Sequence, residues 1–233
     1  MFSALLDRLS ATVPSQCEVC HAWPSQSVCK NCISRFAQTQ PRCRTCALRV
    51  HASILRCAVC ITHPTALDAC VAAVSYEYPW AGLVGQLKFY DRPAWAAQIA
   101  QVMRTNLEVH PALDAADLVI PMPLSAARLR ARGYNQALVL ARALNAQKLA
   151  SAVLLRIKDT PALSLLDRED RLRAMVDAFA VDPLLAQRVR GQRIVLVDDV
   201  MTTGATLHGA ATALRAAGAS HITGLVFART EID

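Results

Sequence analysis

No window of about 18 uncharged apolar residues occurs in this chain, so the sequence offers no candidate for a membrane-crossing helix. The first apolar run, MFSALL, meets Asp7 and Arg8. It is shorter than the core of about 7–15 apolar residues that a secretory signal needs. The expected compartment is the cytoplasm, with no membrane insertion. Two common nucleotide loops are also missing. No Gly-Lys-Ser/Thr follows a glycine-rich turn and no GxGxxG occurs, which excludes a Walker A loop and a dinucleotide fingerprint. Carboxylates are outnumbered: 18 Asp and Glu stand against 25 Lys and Arg, for a formal charge of +7. That balance favours a polyanion such as nucleic acid as partner. With 54% hydrophobic and only 18% charged residues, the 233-residue chain has enough apolar surface for a core. It suits one large domain, or an ordinary domain with a small module.

What the chain has in excess is cysteine. Eight of its nine cysteines form four CxxC pairs, Cys17/Cys20, Cys29/Cys32, Cys43/Cys46 and Cys57/Cys60. Two thiolates of a CxxC turn reach one metal, and two such turns complete a four-thiolate tetrahedral zinc site. The pattern therefore reads as two structural Zn2+ sites in an N-terminal module of residues 1–66. A disulfide framework is the competing reading, but it belongs to oxidising compartments. A redox CxxC is usually single and beside a βαβ unit. Sequential pairing of the motifs closes the shortest loops and so costs the least entropy; an interleaved pairing remains open. Eight thiolates saturate two sites, which leaves His21, His51 and His63 as surface residues. Thiolate ligation also changes the charge: eight thiolates and two divalent ions lower the formal +7 to about +3. Local arginine clusters then count for more than the total. Cys70, the ninth cysteine, lies on an apolar run and reads as core.

From about Ala69 the texture changes. Apolar runs at 69–76, 117–122, 152–157, 193–199 and 221–228 alternate with helix candidates at 80–89, 94–108, 135–149, 167–177 and 204–217. In the third candidate, Ala137, Leu138, Ala141 and Leu144 recur at helical spacing. Short strands alternating with helices of ten to fifteen residues predict an α/β domain, a parallel sheet covered by helices, over residues 67–233.

The most specific stretch is IVLVDDVMTTGAT, 194–206. An uninterrupted apolar strand is expected to stop at Val197. Asp198 and Asp199 then fall where open α/β sheets bind ligands. The loop after them leads into a helix, whose first N–H groups and positive dipole end suit a phosphate. Thr202, Thr203 and Thr206 add hydroxyls beside Ala205, and Gly204 lets the backbone approach closely. The two halves fit two ends of one ligand, a phosphate and the hydroxyls of a sugar. Solvated acids ahead of an ordinary capping loop are the plainer alternative.

IVLVDDVMTTGAT closely resembles the phosphoribosyl-pyrophosphate (PRPP) motif of type I phosphoribosyltransferases. The resemblance implies that Asp198 and Asp199 bind ribose hydroxyls, that Thr202 to Thr206 bind the 5′-phosphate, and that Mg2+ accompanies PRPP. A second likeness is narrower. VIPMPLSAARLRARGYNQALVLARAL (119–144) is similar to the competence protein F (ComF) family, in which a PMPL…RxRGYNQA segment recurs. The CxxC-rich head, a double zinc ribbon, fits that family too, as do the segments 75–96, 158–181 and 217–229. Leu163 and Ala174 depart from the glutamine and asparagine that many relatives carry.

Arg128, Arg130 and Arg132 alternate ahead of Gly133-Tyr134-Asn135-Gln136. Guanidinium groups pair bidentately with phosphate, so this cluster suits pyrophosphate or a nucleic-acid backbone; a solvated turn is the alternative. Lys88 is placed to touch the same anion. Tyr134 and Trp95 suit either packing or stacking on bases. The family likeness implies a factor in DNA uptake during natural transformation, with single-stranded DNA and the competence machinery as partners. The alternative it leaves is an active phosphoribosyltransferase acting on an unidentified nitrogen acceptor, with no role on DNA.

Overall fold

The structure, a computed structural model, describes residues 15–89, 93–158 and 178–231. The chain divides into two compact units, Met1–Gln38 and Thr39–Asp233. The division falls between the two cysteine quartets, whereas the change of sequence texture falls after both.

The two quartets are built alike, which gives the CxxC repeat a backbone counterpart. In the first, the Cys17 N–H donates to the Ala22 carbonyl at 3.0 Å and the His21 N–H to the Cys17 carbonyl at 2.8 Å. In the second, Cys43 donates to Leu48 at 2.7 Å and Ala47 to Cys43 at 2.8 Å. Each knuckle then needs a left-handed residue after its second cysteine, supplied by His21 at φ 59° and Ala47 at φ 55°. Each closing CxxC opens a short helix: Cys29 precedes α1 (Lys30–Phe36) and Cys57 precedes α2 (Ala58–Thr62). His21 is exposed, so its left-handed backbone is strain without compensating burial. His21→Gly is expected to stabilise the first unit by about 0.5–1 kcal/mol. Slower zinc release to a chelator would show it, and faster release would contradict it.

The second unit is organised by four parallel strands: β1 (Ala69–Ser75), β2 (Leu118–Pro121), β5 (Arg193–Met201) and β6 (His221–Arg229). Their order is β1-β6-β5-β2. Strand alternation sends Cys70, Ala72, Ile194, Leu196, Ile222 and Val226 into one core cluster with Leu207, Ala210, Ala211 and Leu214 of α8 (Ala205–Ala216). The intervening residues Val195, Val197, Leu225 and Phe227 are buried as well. Helices α4 (Trp95–Met103) and α7 (Gln136–Asn145) pack on each other and on the strands. Near-continuous apolar strands are what a sheet covered on both faces requires. The expected α/β architecture is therefore observed.

Three local expectations change. The run at 152–157 does not join the parallel sheet; β3 (Leu154–Arg156) pairs antiparallel with β4 (Phe179–Val181). The helix expected over 94–108 stops at Met103 and a second, α5 (Val109–Asp114), follows. The break is made by buried Asn106, whose Oδ1 accepts from the Glu108 N–H at 2.9 Å while its amide donates to the Ala72 carbonyl at 3.3 Å. Finally, β5 continues past Val197 to Met201, because β6 keeps pairing with it as far as Arg229. The helix candidate at 167–177, with Leu163 and Ala174, lies outside the described residues. Trp95 and Cys70 are core residues, 6% and 5% exposed.

Candidate functional site

The acid pair sits within the last turns of a central strand rather than beyond it. Because side chains alternate along a strand, Asp198 and Asp199 point to opposite faces and meet different surroundings. Asp199 is buried, and its Oδ2 lies 3.0 Å from Lys88 Nζ at the end of α3 (Trp80–Phe89). Its Oδ1 accepts from the Val200 N–H at 2.9 Å. Asp198 is partly buried, and its Oδ1 accepts from the Asp199 N–H at 2.9 Å. Burial, reinforced by the neighbouring Asp199 carboxylate and opposed by Lys88, pushes the Asp198 carboxyl up to about 8. Asp199 is thus paired with a cation, while Asp198 is the acid whose ionisation burial disfavours. Lys88 touches the acid, where the sequence suggested an anion.

Past Met201 the chain turns through Thr202 and Thr203 to Gly204, which caps α8 at φ 82°. The Thr203 hydroxyl accepts from the Ala205 N–H at 3.4 Å. Gly204 makes no side-chain cap, so the first turn of α8 keeps N–H groups available for an anion. A Cβ on Gly204 would come within 2.4 Å of Met201 Cε. Gly204→Ala therefore combines left-handed strain with a displaced methionine, and should destabilise the protein by about 1–2 kcal/mol in thermal unfolding. A change below a few tenths of a kcal/mol would contradict this account of the turn.

The segment after β2 borders the same strand end, since the Met122 N–H donates to the Val197 carbonyl at 2.9 Å. Asn135 ties it back by donating to the Met122 carbonyl at 3.0 Å, and Tyr134 donates its hydroxyl to the Leu87 carbonyl, next to Lys88. Tyr134 thus hydrogen-bonds one wall of the site to another. Between these anchors runs α6 (Ala126–Arg132), capped by Ser125 and ended by left-handed Gly133. On a helix, Arg128 and Arg132 share a face and Arg130 lies away from it; Arg130 is exposed and the other two are half-buried. The segments on either side of α6 are thus tied to the strand end, and its three arginines do not form one row.

The phosphoribosyl transferase domain family matches residues 131–231, which include the acid pair and its loop. The DNA utilization protein YhgH of Escherichia coli O6:H1 is 31% identical over 223 residues, covering 91% of this chain and 95% of that protein. The chain belongs to the ComF family. Competence protein F of Haemophilus influenzae is 27% identical over 202 residues (84% and 87% of the two chains). Competence protein ComFC of Bacillus subtilis is 28% identical over 201 residues (82% and 79%). No helix among the described residues of this ComF-family chain is long and apolar enough to cross a membrane.

The cysteines of this ComF-family protein form two quartets, Cys17/Cys20/Cys29/Cys32 and Cys43/Cys46/Cys57/Cys60, each with all four Sγ atoms within 4.8 Å of one another. This is the sequential pairing. Tetrahedral ligation at a Zn–S distance of about 2.3 Å demands S···S edges of about 3.8 Å. The separations are 3.9 Å for Cys17–Cys32 and 3.7 Å for both Cys20–Cys29 and Cys46–Cys57, so the donors fit zinc. Backbone N–H groups of Cys29 and Cys57 donate to Cys17 and Cys43 sulfur, both at 3.3 Å. Burial alone would raise those two thiols, but such N–H donors outweigh it and bring Cys17 down to about 6 and Cys43 to about 7. Burial pushes Cys32 and Cys60 upward and Cys46 up to about 11. A divalent cation is what lets all four sulfurs of a quartet ionise together. His21, His51 and His63 are exposed and belong to neither quartet.

Sequence reasoning did not single out Arg229. It closes the apolar run of β6 and is 2% exposed, at the register position beside Met201. An arginine ending a buried strand was the available signal.

Proposed function

We propose that this protein binds PRPP or a related phosphoribosyl ligand at the C-terminal end of its parallel sheet and serves in the handling of incoming single-stranded DNA. The observation that carries the ligand is the juxtaposition of two acids with a glycine-turned helix N-terminus. Asp198 and Asp199 would accept hydrogen bonds from ribose hydroxyls. Thr202, Thr203, Gly204, Ala205 and Thr206 would surround the 5′-phosphate, and Mg2+ arriving with PRPP would offset its negative charge. Lys88 and the arginines of α6 would face the remaining negative charge. The DNA role is supported by relatives named for competence and DNA utilization and by the local cluster of Arg128, Arg130 and Arg132.

The matched domain's name favours a second reading, transfer. There an acceptor nitrogen forms a bond to the anomeric carbon, the carbon–oxygen bond breaks, and pyrophosphate leaves with the electron pair while the acceptor loses a proton. One assay separates the two. Incubation with Mg2+ and PRPP, across free bases, ammonia and single-stranded DNA, is expected to show binding; acceptor-dependent pyrophosphate release would establish transfer. Single-stranded DNA affinity is expected to fall steeply with salt, and the slope to shrink when Arg128, Arg130 and Arg132 become alanine. An unchanged slope would remove those arginines from the DNA role.

A further inference from the structure

One side chain joins the second cysteine quartet to the phosphate loop. Arg229 Nε donates to the Cys46 carbonyl at 2.9 Å. Its Nη1 donates to the Met201 carbonyl at 3.2 Å and to the carbonyls of Thr202 and Thr230. A single buried guanidinium therefore grips the backbone of a metal ligand with one edge and the backbone entering the Thr202–Thr206 loop with another. No carboxylate pairs with it among the described residues. Its charge is met by carbonyl oxygens and, once metal is bound, by a quartet whose four thiolates and Zn2+ carry about −2. The planar fork matters, because its donors are pre-organised along two edges, whereas an ammonium is a point charge on a flexible stem. Quartet and loop also share a small cavity of about 120 Å3, lined by Cys46, Cys57, Thr203, Gly204, His208 and Arg229 among others.

We infer that Arg229 is a positioning residue that couples the second zinc site to the phosphate loop, so that ligand affinity and zinc retention by Cys43, Cys46, Cys57 and Cys60 are linked. When zinc leaves, the Cys46 carbonyl is no longer fixed, the guanidinium loses its anionic neighbour, and the carbonyls of Met201 and Thr202 lose a common anchor. The link is reciprocal: a ligand that orders the loop must tighten zinc by the factor by which zinc tightens the ligand. The identity of the ligand rests on the phosphoribosyl reading above; the coupling itself does not.

The test uses the full chain with two zinc ions bound, and ribose 5-phosphate as probe. In the wild type, saturating probe is expected to slow transfer of one zinc ion to a chelator about fivefold or more. In Arg229→Met the slowing should vanish and probe affinity should fall by a similar factor. Amide hydrogen exchange without ligand gives an independent reading. Peptides spanning 201–208 should exchange faster in Arg229→Met than in the wild type, and Arg229→Lys should restore protection only in part. Slowing that survives in Arg229→Met, or unchanged exchange at 201–208, overturns the coupling. A wild type that binds no ribose 5-phosphate overturns the phosphoribosyl reading instead, and the exchange comparison still decides the coupling. If Arg229→Met does not fold, exchange at 201–208 in the wild type after zinc withdrawal decides in its place: faster exchange supports the coupling and unchanged exchange overturns it.

Discussion

Cys43→Ser is expected to release one zinc ion and to lower the melting temperature by about 10 °C or more. A structural zinc contributes an apparent binding free energy of about 10–16 kcal/mol in small peptides, comparable to the whole stability of an ordinary domain. Here the quartet is also fastened to the sheet. The Cys70 N–H of β1 donates to the Arg44 carbonyl at 2.8 Å. Arg42 donates to the Ala47 carbonyl and the Glu231 carboxylate, both at 2.8 Å, and to the Ser75 hydroxyl at 2.7 Å. The Arg49 backbone and side chain reach Glu231 and Ser75 at 3.0 and 2.8 Å. Burial would raise the Glu231 carboxyl, but the Arg49 N–H and the Arg42 guanidinium hold it below the usual range. Loss of the metal undoes this polar network together with the knuckle that presents it. Calorimetry with zinc analysis reads the result; a variant melting within about 2 °C of the wild type would show that the quartet is not structural.

Asp198→Asn is expected to make the protein more stable, increasingly so as pH rises. Burial pushes the Asp198 carboxyl up to about 8 in the folded chain, from about 3.9 in an unfolded one. Between those values the folded state binds the extra proton, so this group lowers stability as pH rises, by up to about 1.4 kcal/mol per pH unit. The variant cannot ionise and loses that slope. Its advantage should be small near pH 4 and grow to several kcal/mol near pH 8, measured by denaturant unfolding. An advantage that shrinks with pH would contradict the assigned direction. The same logic applies to the ligand. Cation and hydroxyl donors that favour the ionised acid should expel a proton on binding below pH 8, and affinity should rise towards that value.

What was legible in the sequence was local. The acid pair, the threonine loop and the glycine lie in one thirteen-residue stretch, and each CxxC announces its own turn. The order of the motifs made sequential pairing the cheapest, and the quartets adopt it. What escaped depended on residues far apart. Lys88 reaches Asp199 only because α3 ends over the face to which alternation turns that acid. Arg229 finds Met201 and Cys46 only through the register of three neighbouring strands. β5 outlasts its apolar run because its partner does, which no inspection of 194–197 alone reveals. The short run at 152–157 has the composition of a sheet strand, but its pairing is set by Phe179–Val181. Asn106 breaks a helix through a bond to β1, more than thirty residues away in the chain.

On the proposed reading, one strand end and one loop hold a phosphorylated ribose. Isothermal titration of the zinc-loaded protein with PRPP and Mg2+, beside the Asp198→Asn, Asp199→Asn double variant, tests it most directly. The account predicts saturable binding in the wild type, and at least about 100-fold weaker binding in the variant, since both acceptors of the ribose hydroxyls lose their charge. Equal affinity in the two proteins would contradict it.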